Sequence, residues 1–167
     1  MNALILFSHG SLLCGAGEAL DAHAEGLRKI GNWPVVAVGY LNYSEPTFQE
    51  AVRYCHEQGA QSITVVPYFL IPGYFVTSSL PKRIAEAQEN YPDLTFTIAP
   101  ALGHDSRLAD AILESAAHPM GHEDWRGDLA SAARGCRANP ECPLYGTPKC
   151  PLVPVLPNNA DKETAEV

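Results

Sequence analysis

ALILFSHGS, residues 3–11, decides the architecture. Its apolar run, 3–7, is continuous, as in a parallel strand buried on both faces, and it gives way abruptly to Ser8, His9, Gly10 and Ser11. Helical spacing follows, with Leu20, Ala24 and Leu27 recurring across 18–30 before Gly31 stops the segment. The opening of the chain therefore predicts a strand, a loop bearing an imidazole, and a helix.

The same unit recurs. A second apolar run at 35–41 precedes Ser44, Glu45 and Pro46, which read as a helix start with proline in the first turn. Phe48, Ala51, Val52 and Cys55 then mark one helical face that ends at Gly59. SITVVPY, 62–68, is the third strand, and a helix over 79–91 turns Leu80, Ile84, Ala87 and Tyr91 inward. Residues 94–99 form the fourth strand, after which Asp105 caps a helix carrying Leu108, Ile112 and Leu113. This alternation predicts an α/β domain over residues 1–117: a doubly wound, four-stranded parallel sheet with helices on both faces. From 118 to 167 the chain turns rich in cysteine and proline, which predicts an irregular extension whose last ten or so residues are a disordered polar tail.

Composition narrows the function. Nineteen acidic residues against eleven basic ones, a net charge of −8, argue against a nucleic-acid partner. No apolar run approaches the roughly 18–20 residues of a membrane span, and no basic start marks a signal peptide, so a cytoplasmic protein without a membrane partner is expected.

Ligands of open parallel sheets bind beyond the carboxyl ends of the strands. That rim gathers Ser8, His9, Gly10, Ser11 and Cys14 after the first strand, and Asn42, Tyr43, Ser44 and Glu45 after the second. FLIPGYFVTSS, 69–79, follows the third strand, and Gly103, His104 and Asp105 follow the fourth. His9 reads in two ways, as a residue bonded to a nearby carbonyl or as a metal ligand or proton acceptor near neutral pH. Gly10, lacking a side chain, would let a flat ligand approach the backbone. Lys82 and Arg83, with the Ser78 and Ser79 hydroxyls beside a predicted helix start, suit an anionic ligand.

LFSHGS, YLNYSEPTFQEAV, VVPYFLIPGYFVTSSLP and PALGHDSRL together resemble the short form of the CbiX sirohydrochlorin chelatases, in order and spacing, over residues 1–117. The resemblance implies a chelatase fold, a homodimer, and insertion of Co²⁺ or Fe²⁺ into sirohydrochlorin or a related tetrapyrrole of cobalamin or sirohaem biosynthesis. His9 matches the family's first histidine and Glu45 its acidic residue, so these two are the expected catalytic pair, with Gly10, Ser11, Tyr74, Phe75, Ser78, Ser79, Lys82 and Arg83 around the substrate. Two positions depart from the pattern: Phe75 stands where the second histidine belongs, and Ser79 replaces an aspartate. A phenyl ring neither ligates metal nor accepts a proton. Cys14, His104 or Tyr74 is then the candidate to supply the missing group, with His9, Cys14 and His104 as the metal set. The alternatives are a carrier or sensor that binds a tetrapyrrole or metal without catalysis, Tyr74 and Phe75 stacking on the macrocycle, or loss of both roles.

Cys136, Cys142 and Cys150 crowd into the extension. Their spacing fits neither a zinc ribbon nor a ferredoxin run, and it leaves open an iron–sulfur cluster, a redox-sensitive pair and inert thiols. A fourth cluster ligand would come from Cys14, His118, His122 or a partner subunit. Cys55 continues an apolar helix face and is expected in the core.

Overall fold

The computed structural model describes residues 1–11, 17–42, 44–119 and 121. Strands β1 (Asn2–Ser8), β2 (Val35–Tyr40), β3 (Ser62–Pro67) and β4 (Thr95–Ile98) alternate with helices α1 (Glu18–Ile30), α2 (Phe48–Glu57), α3 (Leu80–Asn90) and α4 (Ser106–Ala117). All strand pairs are parallel, in the order β2-β1-β3-β4. The doubly wound α/β sheet is thus present as expected.

Central position explains the unbroken apolar run of β1. Ile5 pairs with Ala37 on one side and Val65 on the other, so every β1 side chain from Ala3 to Phe7 meets a covered face. Ala3, Ile5 and Phe7 join Phe48, Val52 and Cys55 of α2 and Leu80 and Ala87 of α3 in one core. Leu4 and Leu6 pack with Leu20 and Ala24 of α1 on the opposite face. Each fully buried side chain of this size contributes about 1.5–3 kcal/mol. Burial also pushes the Cys55 thiol up to about 12, because a thiolate there would lose its water. Cys55 is therefore expected to resist iodoacetamide at pH 8 in the native protein and to react once guanidinium unfolds it, read by peptide mass mapping; native labelling comparable to the unfolded rate would contradict its burial.

Three helices differ from expectation, two at their starts and one in its burial. Pro46 lies outside α2: Thr47 is the N-cap, its hydroxyl accepting from the Glu50 amide while the Glu50 carboxylate accepts from the Thr47 amide. The Pro46 carbonyl instead accepts from the Tyr40 amide. A five-residue π-turn, Phe75–Ser79, precedes α3, and the Leu80 amide donates to the Phe75 carbonyl. Finally, α4 is capped by Asp105 as expected, yet it buries none of its residues, and Ile112 and Leu113 are 66% and 68% exposed. No helix among the described residues is long and apolar enough to cross a membrane. Apart from its first residues, the expected extension over 118–167 lies outside the described residues, as does its expected disordered tail.

Candidate active site

Strand order places the site. From β1 the chain moves to β2, then crosses back over β1 to β3 and on to β4, so the connections leave β1 and β3 in opposite directions. The crevice outside the carboxyl ends of those two neighbours is the topological switch point. His9 follows β1 directly, and the 68–79 loop and π-turn follow β3.

Backbone bonds fix the His9 loop. The Leu41 and Asn42 amides donate to the Ser8 and His9 carbonyls, each at 2.9 Å, so the β1 and β2 loops continue the pairing of their strands. Ser44 Oγ accepts from the Ser11 amide at 2.9 Å and donates to the Ser11 carbonyl at 3.1 Å, locking the far side. Gly10 takes φ +86°, and a Cβ there would lie 1.8 Å from the Asn42 carbonyl oxygen. Glycine is thus required by the crossing of two loops, a different reason from the ligand approach expected from sequence.

The His9 ring is partly buried and meets Phe75, with ring centroids 4.5 Å apart and planes inclined at 44°. Nδ1 lies 3.2 Å from the Gly10 carbonyl oxygen. A carbonyl only accepts, so that bond puts a proton on Nδ1, and the neutral form of the ring then carries its lone pair on Nε2. Phe75 also meets Phe69 at 6.3 Å and Tyr74 at 6.2 Å, and Phe69 meets the buried Phe7 at 6.0 Å. Tyr74, 66% exposed, stands at the outer end of this aromatic row.

Other expected residues fall elsewhere. Glu45 is exposed and lines a hollow of about 570 Å³ at the free edge of β2, shared with Asp21, Arg28, Arg53 and Tyr54. His104 lines an apolar groove of about 660 Å³ with Leu70, Ile71, Leu108 and Ile112. Beside it, bonds from Arg107 hold the Asp105 carboxyl well below the usual carboxylate range. Because the π-turn extends α3 backwards, Ser78 and Ser79 sit within continuous helical structure rather than at an open helix start. Lys82 is exposed, and Arg83 pairs with Glu86 at 3.1 Å. Cys14, Cys136, Cys142, Cys150, His122 and Tyr43 lie outside the described residues. Among the described residues no three His, Cys, Asp or Glu side chains converge as a metal site, and the expected set of His9, Cys14 and His104 includes a residue outside them, Cys14. Sequence reading missed the Ser44 clamp, for which a serine in a loop gives no specific signal.

The chain resembles known proteins along most of this unit. It is 38% identical to the sirohydrochlorin cobaltochelatase of Methanocaldococcus jannaschii over 54% of its own length and 64% of that protein. With the chloroplastic sirohydrochlorin ferrochelatase of Arabidopsis thaliana it shares 25% identity over 87% of its length and 64% of the relative. The fold matches the sirohydrochlorin chelatase SirB from Bacillus subtilis subspecies spizizenii, solved in complex with cobalt, at TM-score 0.65 and 25% identity, covering 77% of this chain and 58% of that one. The chain thus spans somewhat under two thirds of these relatives. The family model for CbiX matches residues 3–118, and the chain belongs to the CbiX family.

Proposed function

We propose that this chain inserts Co²⁺ or Fe²⁺ into sirohydrochlorin or a closely related tetrapyrrole, serving cobalamin or sirohaem biosynthesis, with residues 1–117 as the catalytic unit. The observation that carries this reading is the His9 imidazole at the switch point of a CbiX-family sheet. Both metals stay in the proposal because the relatives divide between a cobaltochelatase and a ferrochelatase.

Insertion exchanges two pyrrole N–H protons for one divalent cation; two N–H bonds break, metal–nitrogen bonds form, two protons leave, and no electron is transferred. A neutral imidazole meets two of its needs: its Nε2 lone pair displaces a water from the cation, or it takes a pyrrole proton. Glu45 assists as an exposed carboxylate that passes metal in or protons out. Gly10, Ser11, Tyr74, Phe75, Ser78, Ser79, Lys82 and Arg83 border the macrocycle, the two cations facing its carboxylates. A second copy of the chain covers the apolar rim of Leu70, Ile71 and Tyr74, which the groove joins to Ile112, and this exposed surface supports a homodimer.

Anaerobic incubation with sirohydrochlorin and either Co²⁺ or Fe²⁺ tests the reading. The absorption spectrum is expected to convert to that of the metallated ring much faster than in a protein-free control. A bound but unmetallated macrocycle would favour the carrier instead, and no binding at all would overturn both.

A further inference from the structure

We propose that Phe75 is a positioning residue for His9: its ring, presented by the π-turn, holds the imidazole in the one orientation that directs Nε2 at the incoming metal or pyrrole. The inference rests on the chelatase reading and deepens it, because it assigns a role to Phe75, which the sequence resemblance sets where the family's second histidine belongs.

Four observations converge. The first is contact, since Phe75 meets the His9 ring itself at 4.5 Å. The second is anchoring: Val76 within the turn and Leu80 directly after it are buried, and the Leu80 amide bonds to the Phe75 carbonyl, so the backbone that carries the phenyl is fixed. A wide π-turn in place of an ordinary helical one is a local departure that recurs at functional sites. Third, Phe75 belongs to a row of rings that runs through Phe69 to Phe7, and Phe7 packs edge-on against Phe48 of α2 at 5.6 Å. The row ties the imidazole to the core, in addition to its Gly10 bond. Fourth, a phenyl ring offers neither lone pair nor acidic proton, so whatever it does for an imidazole is geometric.

Holding a reacting group in place matters to rate, because a displacement of about 1 Å costs on the order of a hundredfold. A ring that merely bordered the substrate would act on binding instead. The two roles separate in Phe75→Leu, which keeps apolar bulk but removes the flat face, and in Phe75→Tyr, which restores it. Phe75 is 37% exposed, so neither change threatens the core.

The test pairs steady-state metallation with ¹⁵N spectra of the His9 ring in the metal-free protein. For Phe75→Leu, kcat is expected to fall about tenfold while KM for the tetrapyrrole moves less than about twofold. The His9 nitrogens, showing one dominant tautomer in the parent, are expected to shift toward an averaged pair, and Phe75→Tyr is expected to recover both readouts. A rise in KM at unchanged kcat would overturn the proposal, as would ring nitrogen shifts unaltered by Phe75→Leu. Should the parent protein fail to metallate any tetrapyrrole, the proposed activity falls, and the nitrogen spectra still decide whether Phe75 orients His9.

Discussion

Gly10→Ala is expected to lose on the order of 3 kcal/mol or more of stability and to lower the thermal midpoint by roughly 10 °C or more. Two effects add. At φ +86° an alanine is strained whatever surrounds it. The new Cβ would also sit 1.8 Å from the Asn42 carbonyl oxygen and 3.1 Å from the Ser44 nitrogen. Both obstacles are backbone, so no side-chain rotation relieves them. Making room requires breaking the bond from the Asn42 amide to the His9 carbonyl or the Ser44 clamp on Ser11, and these are the bonds that hold the imidazole in place. Gly26 supplies the control. It lies inside α1, and a Cβ there would meet nothing within 4 Å, so Gly26→Ala is expected to stabilise by about 0.5–1 kcal/mol. Circular dichroism melts of the two variants therefore move in opposite directions. A Gly10→Ala midpoint within about 2 °C of the parent would contradict the loop geometry.

The fold was legible because burial and periodicity coincide. The run at 3–7 is apolar throughout since β1 is central, and the faces read for α2 and α3 match the core residue by residue at Phe48, Ala51, Val52, Cys55, Leu80 and Ala87. Where the reading slipped, a local hydrogen bond outcompeted a propensity. Pro46 suits a helix's first turn, but the reciprocal bonds between Thr47 and Glu50 start α2 at Phe48, two residues after it. The apolar spacing of α4 is real, and yet Ile112 and Leu113 find no cover within the described unit. Periodicity reports which face wants burial and cannot report whether anything is there to bury it.

For the site, sequence located the rim but not its contacts. A histidine at a strand end is visible in one dimension. Its pairing with a ring 66 positions later depends on β3 lying beside β1 and on a π-turn that no residue pattern announces. Glu45 entered through the family resemblance rather than through any pattern of its own, and it lines a hollow beside the edge strand β2.

His9→Ala is expected to slow metal insertion by about 10²–10⁴-fold while leaving the fold intact. The second half follows from where the bonds are. The His9 carbonyl, not its ring, accepts from the Asn42 amide, so truncating the side chain leaves the loop pairing in place. The ring is only partly buried, and its loss exposes a strip of Phe75 at a cost of about 1 kcal/mol or less. The first half follows from chemistry, because in the contacts among the described residues at the switch point His9 supplies a basic nitrogen, while Phe75, Phe69 and Tyr74 offer none. Two further measurements divide its duties. Titration calorimetry with Co²⁺ reports whether the variant still takes up metal, and added imidazole reports whether a free base replaces the lost one. Weakened metal uptake without rescue assigns His9 to holding the cation; intact uptake with rescue assigns it to collecting a pyrrole proton. A variant that metallates sirohydrochlorin within about threefold of the parent would remove the imidazole from the mechanism, since any group whose loss costs under about 1 kcal/mol of barrier is not carrying the reaction.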